Sequence, residues 1–274
     1  MGTVWFITGS SRGLGKAIAT YALETGNKVI ATARKTDSVA DLVKKYGEDR
    51  ILALPLDVTD YKACESTAEK AAQKFGRVDI IVNNAGYGDL ASIEDTTVEA
   101  FRAQIDTNFN GTYNVSKVFL PILRKQGSGH IFQVSSLGDR MCTPGLGAYQ
   151  AAKWAVAGFS GVLAAEVQGL GIKVTVLEPG AMATDWFGSS MDRPKATEPY
   201  QKVISETNER IQGAMDTATT NVDKVAALIA RIYGEKDPPI RLLVGEDAAT
   251  YGPMLSDALK QSDAAWDEAS RSVV

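Results

Sequence analysis

Short runs of apolar and β-branched residues recur along the whole chain, separated by longer stretches of helical periodicity. Most of these runs are apolar throughout, which is typical of strands that are covered on both faces of a sheet. The runs predict strands at Val4–Thr8, Lys28–Ala33, Ile51–Leu56, Asp79–Val82, Ile131–Ser135, Lys173–Glu178 and Ile240–Val244.

The stretches between the strands place apolar residues at helical spacing. They predict helices at Leu14–Glu24, Ser38–Tyr46, Tyr61–Phe75, from about Val98 to Arg124, and at Tyr149–Gln168, Asp223–Tyr233 and Tyr251–Ser270. Because strands and helices alternate, we expect an α/β fold, a doubly wound parallel sheet of about seven strands with helices on both faces. The chain is expected to form one domain, 1–274, with an irregular lid segment at about 181–220 over the carboxyl edge of the sheet.

Composition excludes several classes of partner. The 274 residues are 45% hydrophobic and 23% charged, with a net charge of −4, so we expect neither nucleic acid nor a membrane as partner. The single histidine, His130, argues against a metal site or a hydrolytic triad built on histidine. The two cysteines and the absence of a signal-peptide pattern lead us to expect a soluble cytoplasmic protein.

A glycine-rich turn, T-G-S-S-R-G-L-G, follows the first predicted strand and precedes the first helix. Gly9 allows a tight turn, Gly13 lets the backbone approach a pyrophosphate, and Gly15 lets the helix pack closely on the sheet. The N-terminus of that helix offers N–H groups to phosphate. This context predicts a dinucleotide site, and the alternative is a purely structural turn.

The end of the second strand indicates which dinucleotide binds. Ala33 stands where an acidic residue would accept from a ribose 2′-hydroxyl, and Arg34 follows it. With Arg12 in the glycine turn, two guanidinium groups suit a 2′-phosphate, so we expect NADP(H) rather than NAD(H). Arg34 could also be a solvated loop arginine. Asp57, after the third strand, could bind adenine or cap the next helix.

Further polar residues follow the later strands. N-N-A-G begins at Asn83, Asn108 lies inside a predicted helix where asparagine is unfavourable, and Ser136 follows the fifth strand. Tyr149 and Lys153 lie one helical turn apart and share a helix face.

The motifs and single residues occur along the chain in the order T-G-S-S-R-G-L-G, N-N-A-G, Asn108, Ser136, Y-Q-A-A-K and P-G-A-M-A-T. With this ordered set, the chain resembles the compact branch of the short-chain dehydrogenase/reductase family. The resemblance covers about residues 3–185 and the last strand. It implies a Rossmann-type fold, hydride transfer between nicotinamide and a carbonyl or alcohol, and homodimers or homotetramers. Glu178 departs from the family, which commonly has asparagine there, and either makes a local contact or faces substrate.

The resemblance also implies a role for each catalytic residue. Tyr149 would be the acid/base, and the Lys153 ammonium would lower the pKa of its phenol and bind the nicotinamide ribose. Ser136 would hydrogen-bond the substrate oxygen, Asn108 would hold a proton-relaying water, and Thr184 would bind the carboxamide. The full predicted cofactor set is Gly9, Ser11, Arg12, Gly13, Leu14, Gly15, Arg34, Asp57, Val58, Asn84, Ala85, Gly86, Tyr149, Lys153, Pro179, Gly180 and Thr184.

Apolar residues on either side of the motifs predict the substrate pocket, formed by Met141, Leu146, Met182, Trp186 and Phe187. The alternative is a small separate core beneath a loop. The sequence therefore favours an NADP(H)-dependent reductase of hydrophobic ketones or aldehydes. An NAD-dependent hydroxysteroid- or retinol-type dehydrogenase and a catalytically silent NADP-binding regulator remain alternatives.

Overall fold

The computed structural model describes residues 2–188 and 191–274, and its centre is one parallel seven-stranded sheet. The strand order is β3-β2-β1-β4-β5-β6-β7. The strands are β1 Val4–Thr8, β2 Lys28–Ala33, β3 Ile51–Pro55, β4 Ile80–Asn83, β5 Gly129–Val134, β6 Ile172–Pro179 and β7 Arg241–Val244. The predicted doubly wound α/β fold is confirmed.

Helices cover both faces of the sheet. Their bounds are α1 Gly13–Glu24, α2 Ala40–Tyr46, α3 Tyr61–Phe75, α4 Val98–Ile105, α5 Gly111–Gln126, α6 Gly147–Val167, α7 Glu198–Asp216, α8 Val222–Gly234, α9 Glu246–Ala265 and α10 Asp267–Arg271. Buried side chains of α1, α2 and α8 form the core on one face, and those of α3, α5 and α6 form the core on the other. No helix of the described residues is long and apolar enough to span a membrane.

The strand order changes direction between β1 and β4, because β2 and β3 lie on one side of β1 and β4 to β7 on the other. The connections that leave the carboxyl ends of β1 and β4 therefore diverge, and a crevice opens between them. The glycine turn follows β1 at Thr8 and N-N-A-G begins at the last residue of β4. The order of the strands thus places both motifs at one edge.

The segment expected to be irregular contains α7, so that prediction was wrong. Tyr200, Val203, Ile204, Ile211 and Met215 recur at helical spacing and pack in a third apolar cluster, away from the two faces of the sheet. Pro199 stands in the first turn, where proline is tolerated because the N–H is not needed there. The periodicity for this helix was therefore present in the sequence.

Candidate active site

A cleft of about 1020 Å³ opens at the carboxyl edge of the sheet. Most of the predicted cofactor residues line it, whereas Gly15 lies behind it. The lining includes Gly9, Ser11, Arg12, Gly13, Leu14, Arg34, Asp57, Val58, Asn84, Ala85, Gly86, Tyr149, Lys153, Pro179, Gly180 and Thr184.

The glycine turn has the backbone that its sequence predicts. Gly9 and Gly13 have φ of +68° and +53°, a region that side chains disfavour. A Cβ on Gly15 would lie 2.3 Å from the Gly9 carbonyl oxygen, so only glycine lets α1 start this close to the turn. This bare backbone at a helix N-terminus fits the pyrophosphate of a dinucleotide.

Asn84 ties the two motifs of the crevice together. Its Nδ2 donates to the carbonyl oxygen of Thr8 at 2.9 Å, and its backbone N–H donates to Thr8 Oγ1 at 2.9 Å. The side chain that sequence reasoning placed on the cofactor thus also fixes the glycine turn against β4.

Where adenosine is predicted to bind, Ala33, Arg12 and Arg34 line the cleft, and both arginines are exposed. Asp57 also lines the cleft and accepts from the Thr59 N–H at 3.0 Å. The helix cap of α3 is Asp60, which accepts from Ala63 N at 3.0 Å. The alternative role of Asp57 as that cap is therefore wrong.

Tyr149 and Lys153 lie on the buried face of α6, and both line the cleft. Lys153 Nζ stands 5.6 Å from the centre of the Tyr149 ring and donates to the Val134 carbonyl oxygen at 2.7 Å. Lys153 is 5% exposed and Tyr149 is 9% exposed. The acid and its cationic neighbour are thus held together out of bulk water.

Burial raises the pKa of Tyr149 to about 12, because a buried phenolate loses its hydration. A hydrogen bond with Ser136 lowers that pKa, and the charge of Asp139 raises it further. Lys153, which was expected to lower this pKa, is not among the causes of the shift, and its ammonium donates to the Val134 carbonyl oxygen. At neutral pH the phenol keeps its proton and can donate it.

Burial also lowers the pKa of Lys153 to about 8, because it penalises the ammonium, while the charge of Asp139 opposes that change. The ammonium therefore predominates at neutral pH and is lost under mildly alkaline conditions.

Ser136 follows β5, lines the cleft, and accepts from Gly138 N at 3.0 Å. Asn108 lies in a π-helical turn, Asp106–Asn110, and is fully buried. Its side chain accepts from the Tyr87 N–H at 2.9 Å and donates to the Tyr87 carbonyl at 2.7 Å. Both side-chain groups of Asn108 thus hold the backbone after N-N-A-G.

Asn108 nevertheless lies close to Lys153. A Cβ on Gly86 would be 2.9 Å from Asn108 Oδ1 and 3.7 Å from Lys153 Nζ, so Gly86 separates the two side chains. The four predicted catalytic residues therefore gather in one region, although Asn108 itself does not line the cleft.

Four of the five predicted pocket residues line the cleft, and these are Met141, Leu146, Met182 and Trp186. The ring of Trp186 lies 5.0 Å from that of Tyr149, measured between centroids. Phe187 is 5% exposed and belongs to the cluster beneath α7, so its assignment to the pocket was wrong. Trp186 and Phe187 lie in a 3₁₀ turn, where successive side chains point about 120° apart, so one ring meets the cleft and the other packs in the cluster.

Residues of α7, which lies within the predicted lid segment, and of α9, which was not assigned to the site, also line the cleft. From α7 and α9 these residues are Arg210, Ile211, Ala214, Met215, Asp247, Tyr251, Met254 and Leu255. Asp247 accepts from the Ala181 N–H at 2.7 Å and so joins the start of α9 to the segment after β6. The periodicity of α7 could have indicated its contribution, whereas the approach of α9 is a tertiary feature.

Comparisons with known proteins agree with this geometry. The sequence profile of the short chain dehydrogenases matches residues 3–195. The chain is 51% identical to the oxidoreductase BOA17 of Botryotinia fuckeliana over 98% of each chain. It is 34% identical to a 3-ketodihydrosphingosine reductase of Bacteroides thetaiotaomicron, over 87% of this chain and 86% of that protein. A solved short-chain dehydrogenase from Streptomyces avermitilis superposes with a TM-score of 0.92 at 34% identity, covering 100% of both chains.

Proposed function

Because this chain belongs to the short-chain dehydrogenase family, we propose that it is an NADP(H)-dependent reductase of hydrophobic ketones or aldehydes. The observation that carries the proposal is the placement of Tyr149, Lys153 and Ser136 together with apolar side chains in a cleft that Arg12 and Arg34 also line. The name of the Bacteroides relative, a reductase of a ketone, supports the reductive direction.

The cofactor would be held by the chain's own backbone and by a few side chains. The glycine turn would receive the pyrophosphate, Arg12 and Arg34 the 2′-phosphate, and Lys153 the nicotinamide ribose. When bound, the nicotinamide supplies the hydride. Thr184, which would bind the carboxamide, and Trp186 line the same cleft.

The proton comes from Tyr149. A substrate carbonyl next to the phenol and Ser136 would receive hydrogen bonds from both, which stabilise the negative charge that develops on its oxygen. Since burial holds the pKa of the phenol at about 12, transfer of its proton to an alkoxide is favourable. The Lys153 ammonium, 5.6 Å from the centre of the ring, would stabilise the phenolate that is left. Burial behind Trp186 limits competition from water.

An NAD-dependent hydroxysteroid- or retinol-type dehydrogenase shares these catalytic residues, and the two arginines favour the NADP(H) reading over it. A silent NADP-binding regulator is the candidate of another class. The protonated Tyr149 beside Lys153 favours the enzyme, since a sensor needs no proton donor.

The decisive experiment follows NADPH oxidation by absorbance with a panel of aliphatic, aromatic and steroid ketones and aldehydes. We expect turnover with apolar members of the panel, because methionine, leucine and tryptophan side chains line the substrate end. No oxidation across the panel, in protein that binds NADPH, would favour the regulator.

Tyr149→Phe is the matched variant for that panel, because it removes one oxygen and keeps the ring. We expect its turnover to fall by about 10²–10⁴-fold, the usual contribution of a general acid, with NADPH binding by fluorescence little changed. Turnover that survives in this variant would remove Tyr149 from the mechanism.

A further inference from the structure

Four charged residues form a cluster behind Ser135 and Ser136, the segment after β5 that is here called the serine turn. The cluster is called the carboxylate–arginine cluster, and its members are Asp139, Arg140, Glu178 and Arg241. Asp139 closes a 3₁₀ turn after β5, Glu178 lies near the end of β6, and Arg241 begins β7. Both carboxylate side chains have an exposed fraction of 0%, whereas the arginine side chains reach 22% and 38%. Buried charges of this kind need partners, because desolvation penalises each of them.

The arginines supply those partners. Arg241 Nη2 donates to Asp139 Oδ1 at 2.6 Å, and Arg241 Nε donates to Glu178 Oε1. Arg140 Nε donates to Glu178 Oε2 at 2.6 Å, and Arg140 Nη1 donates to Ser256 Oγ of α9 at 3.3 Å. Two negative and two positive charges thus balance. Glu178, which does not line the cleft, makes a local contact rather than facing substrate.

The second oxygen of Asp139 reaches the serine turn. Ser135 Oγ donates to Asp139 Oδ2 at 2.6 Å, and Ser135 is the direct neighbour of Ser136. Ser135 is 2% exposed, so this hydrogen bond is shielded from water and correspondingly strong. The cluster is therefore bonded to the backbone segment that presents the catalytic serine.

Asp139 also acts on the catalytic pair through its charge. That charge raises the pKa of Tyr149 and the pKa of Lys153, and in both cases it favours the protonated form. Burial raises the pKa of Asp139 itself to about 6. The Ser135 hydrogen bond and the charges of Arg241 and Arg140 lower that pKa, while Glu178 raises it, so Asp139 is mainly ionised at neutral pH.

We propose that Asp139 is a positioning residue, which holds the Ser135–Ser136 segment in place through the Ser135 hydroxyl and presents a fixed negative charge to Tyr149 and Lys153. Arg140, Glu178 and Arg241 hold its carboxylate in that orientation. The effect of Asp139 on catalysis rests on the proposed reductase function. The effect of its charge on Lys153 is a property of the protein alone and is measured without turnover.

The test measures the titration of Lys153 by NMR in full-length protein labelled with ¹³C at lysine Cε. The pKa of about 8 separates Lys153 from exposed lysines, and loss of the signal in Lys153→Arg identifies it. In Asp139→Asn we expect this pKa to fall by on the order of one unit, the size of effect that a nearby opposite charge has. An unchanged Lys153 titration would overturn the charge role.

Glu178→Gln is the matched control. It removes an equally buried carboxylate of the same cluster, whose charge is not among the causes that shift the pKa of Lys153. We expect its Lys153 titration to coincide with that of the unmodified protein. An equal fall in both variants would mean general loosening of the cluster and would also overturn the proposal.

If Asp139→Asn does not fold, the double variant Asp139→Asn with Arg241→Gln removes one charge of each sign and leaves the Glu178–Arg140 pair. The same fall of the Lys153 pKa is expected, and an unchanged value overturns the proposal. A protein that reduces no carbonyl would refute the proposed function, while the NMR titration would still decide the role of Asp139.

Ser135→Ala tests the positioning role separately, because it removes the hydroxyl that links the turn to Asp139 and to the Lys153 carbonyl oxygen and leaves the Asp139 carboxyl in place. We expect kcat for the ketone substrate to fall at least about tenfold, a loss typical of a buried hydrogen bond to a charged group, with the Lys153 titration unmoved. Full kcat in this variant would overturn the positioning role.

Discussion

The side chains of the cleft differ in how firmly the protein holds them. Tyr149 and Lys153 are buried, whereas Arg12 and Arg34 are exposed. Buried groups pay a desolvation penalty in the charged state, so Tyr149 stays protonated and Lys153 titrates near pH 8. Exposed guanidinium groups remain charged and are suited to an anionic ligand. One cleft thus combines a buried phenol and lysine with two exposed arginines.

Arg34→Ala should weaken NADPH binding far more than NADH binding. Hydrogen bonds to a charged group contribute about 1.5–3 kcal/mol, so we expect a loss of about 10–100-fold for NADPH, measured by fluorescence titration. Lys35→Ala is the matched control, since Lys35 is the next exposed cation and is not part of the cleft lining. Equal losses for both nucleotides would contradict the assignment of the 2′-phosphate.

Among the helices, α6 carries two different surfaces. Its buried face presents Tyr149 and Lys153 to the cleft. Its opposite face is apolar and open, with Trp154 48% and Val162 61% exposed. A Cβ on Gly158 or Gly161 would meet nothing within 4 Å, so the glycines there are not required by packing inside the chain. We propose that a second copy of the chain covers this face in a homodimer or homotetramer.

Val162→Glu should convert that oligomer into monomers, because it places a carboxylate in an apolar interface without a partner. The measurement is molar mass by light scattering after size exclusion. Ile240→Glu, at a position that is 51% exposed before β7, serves as the control and should leave the mass unchanged. A monomeric unmodified protein would refute the proposed interface.

The stability of the whole molecule depends on the sheet, which is covered on both faces. His130 lies in β5, beside the central strand β4, and is 0% exposed. Its ring stacks on that of Phe132, with 4.0 Å between centroids, and Nε2 shares a hydrogen bond with Thr175 Oγ1 at 2.9 Å. Burial lowers the pKa of His130 from 6.5 to about 3, and the charge of Lys173 lowers it as well. The folded protein therefore keeps this imidazole neutral where the unfolded chain protonates it.

This histidine should make the protein less stable in acid. The neutral imidazole makes its full contribution to the free energy of unfolding above pH 6.5. That contribution is lost as the pH falls towards 3, because only the unfolded chain then takes up the proton. At pH 5 the loss is about 2 kcal/mol. Urea unfolding at pH 7 and pH 5 should show this loss of unfolding free energy in the unmodified protein, in addition to any loss that His130→Gln shows.

The raised pKa of Asp139 makes the protein more stable as the pH falls through 6, because the carboxyl of the folded protein then takes up a proton more readily than that of the unfolded chain. This effect of Asp139 is present in both the unmodified protein and His130→Gln, so it cancels when their losses of stability are compared. Identical losses of stability in the two proteins would contradict the role of His130.

The linear sequence was sufficient for features that depend on neighbours along the chain. The strands at Val4–Thr8 and Lys28–Ala33 and the helix at Tyr61–Phe75 have the predicted bounds, because apolar runs and caps are local signals. The glycine turn and the spacing of Tyr149 and Lys153 likewise express backbone conformation and helical periodicity. The helix α7 also has a local signal, its helical spacing of apolar residues, although the sequence analysis predicts an irregular segment there.

Three features depended on folding. Trp186 and not Phe187 faces the cleft, α9 closes one side of it, and Asp139, Glu178 and Arg241 meet across 63 and 102 residues of sequence. The order β5-β6-β7 creates that cluster, since it sets the start of β7 and the residues after β5 on either side of the last residues of β6. The pKa of Tyr149 belongs here too, because it is set chiefly by burial, and burial exists only once distant elements pack together.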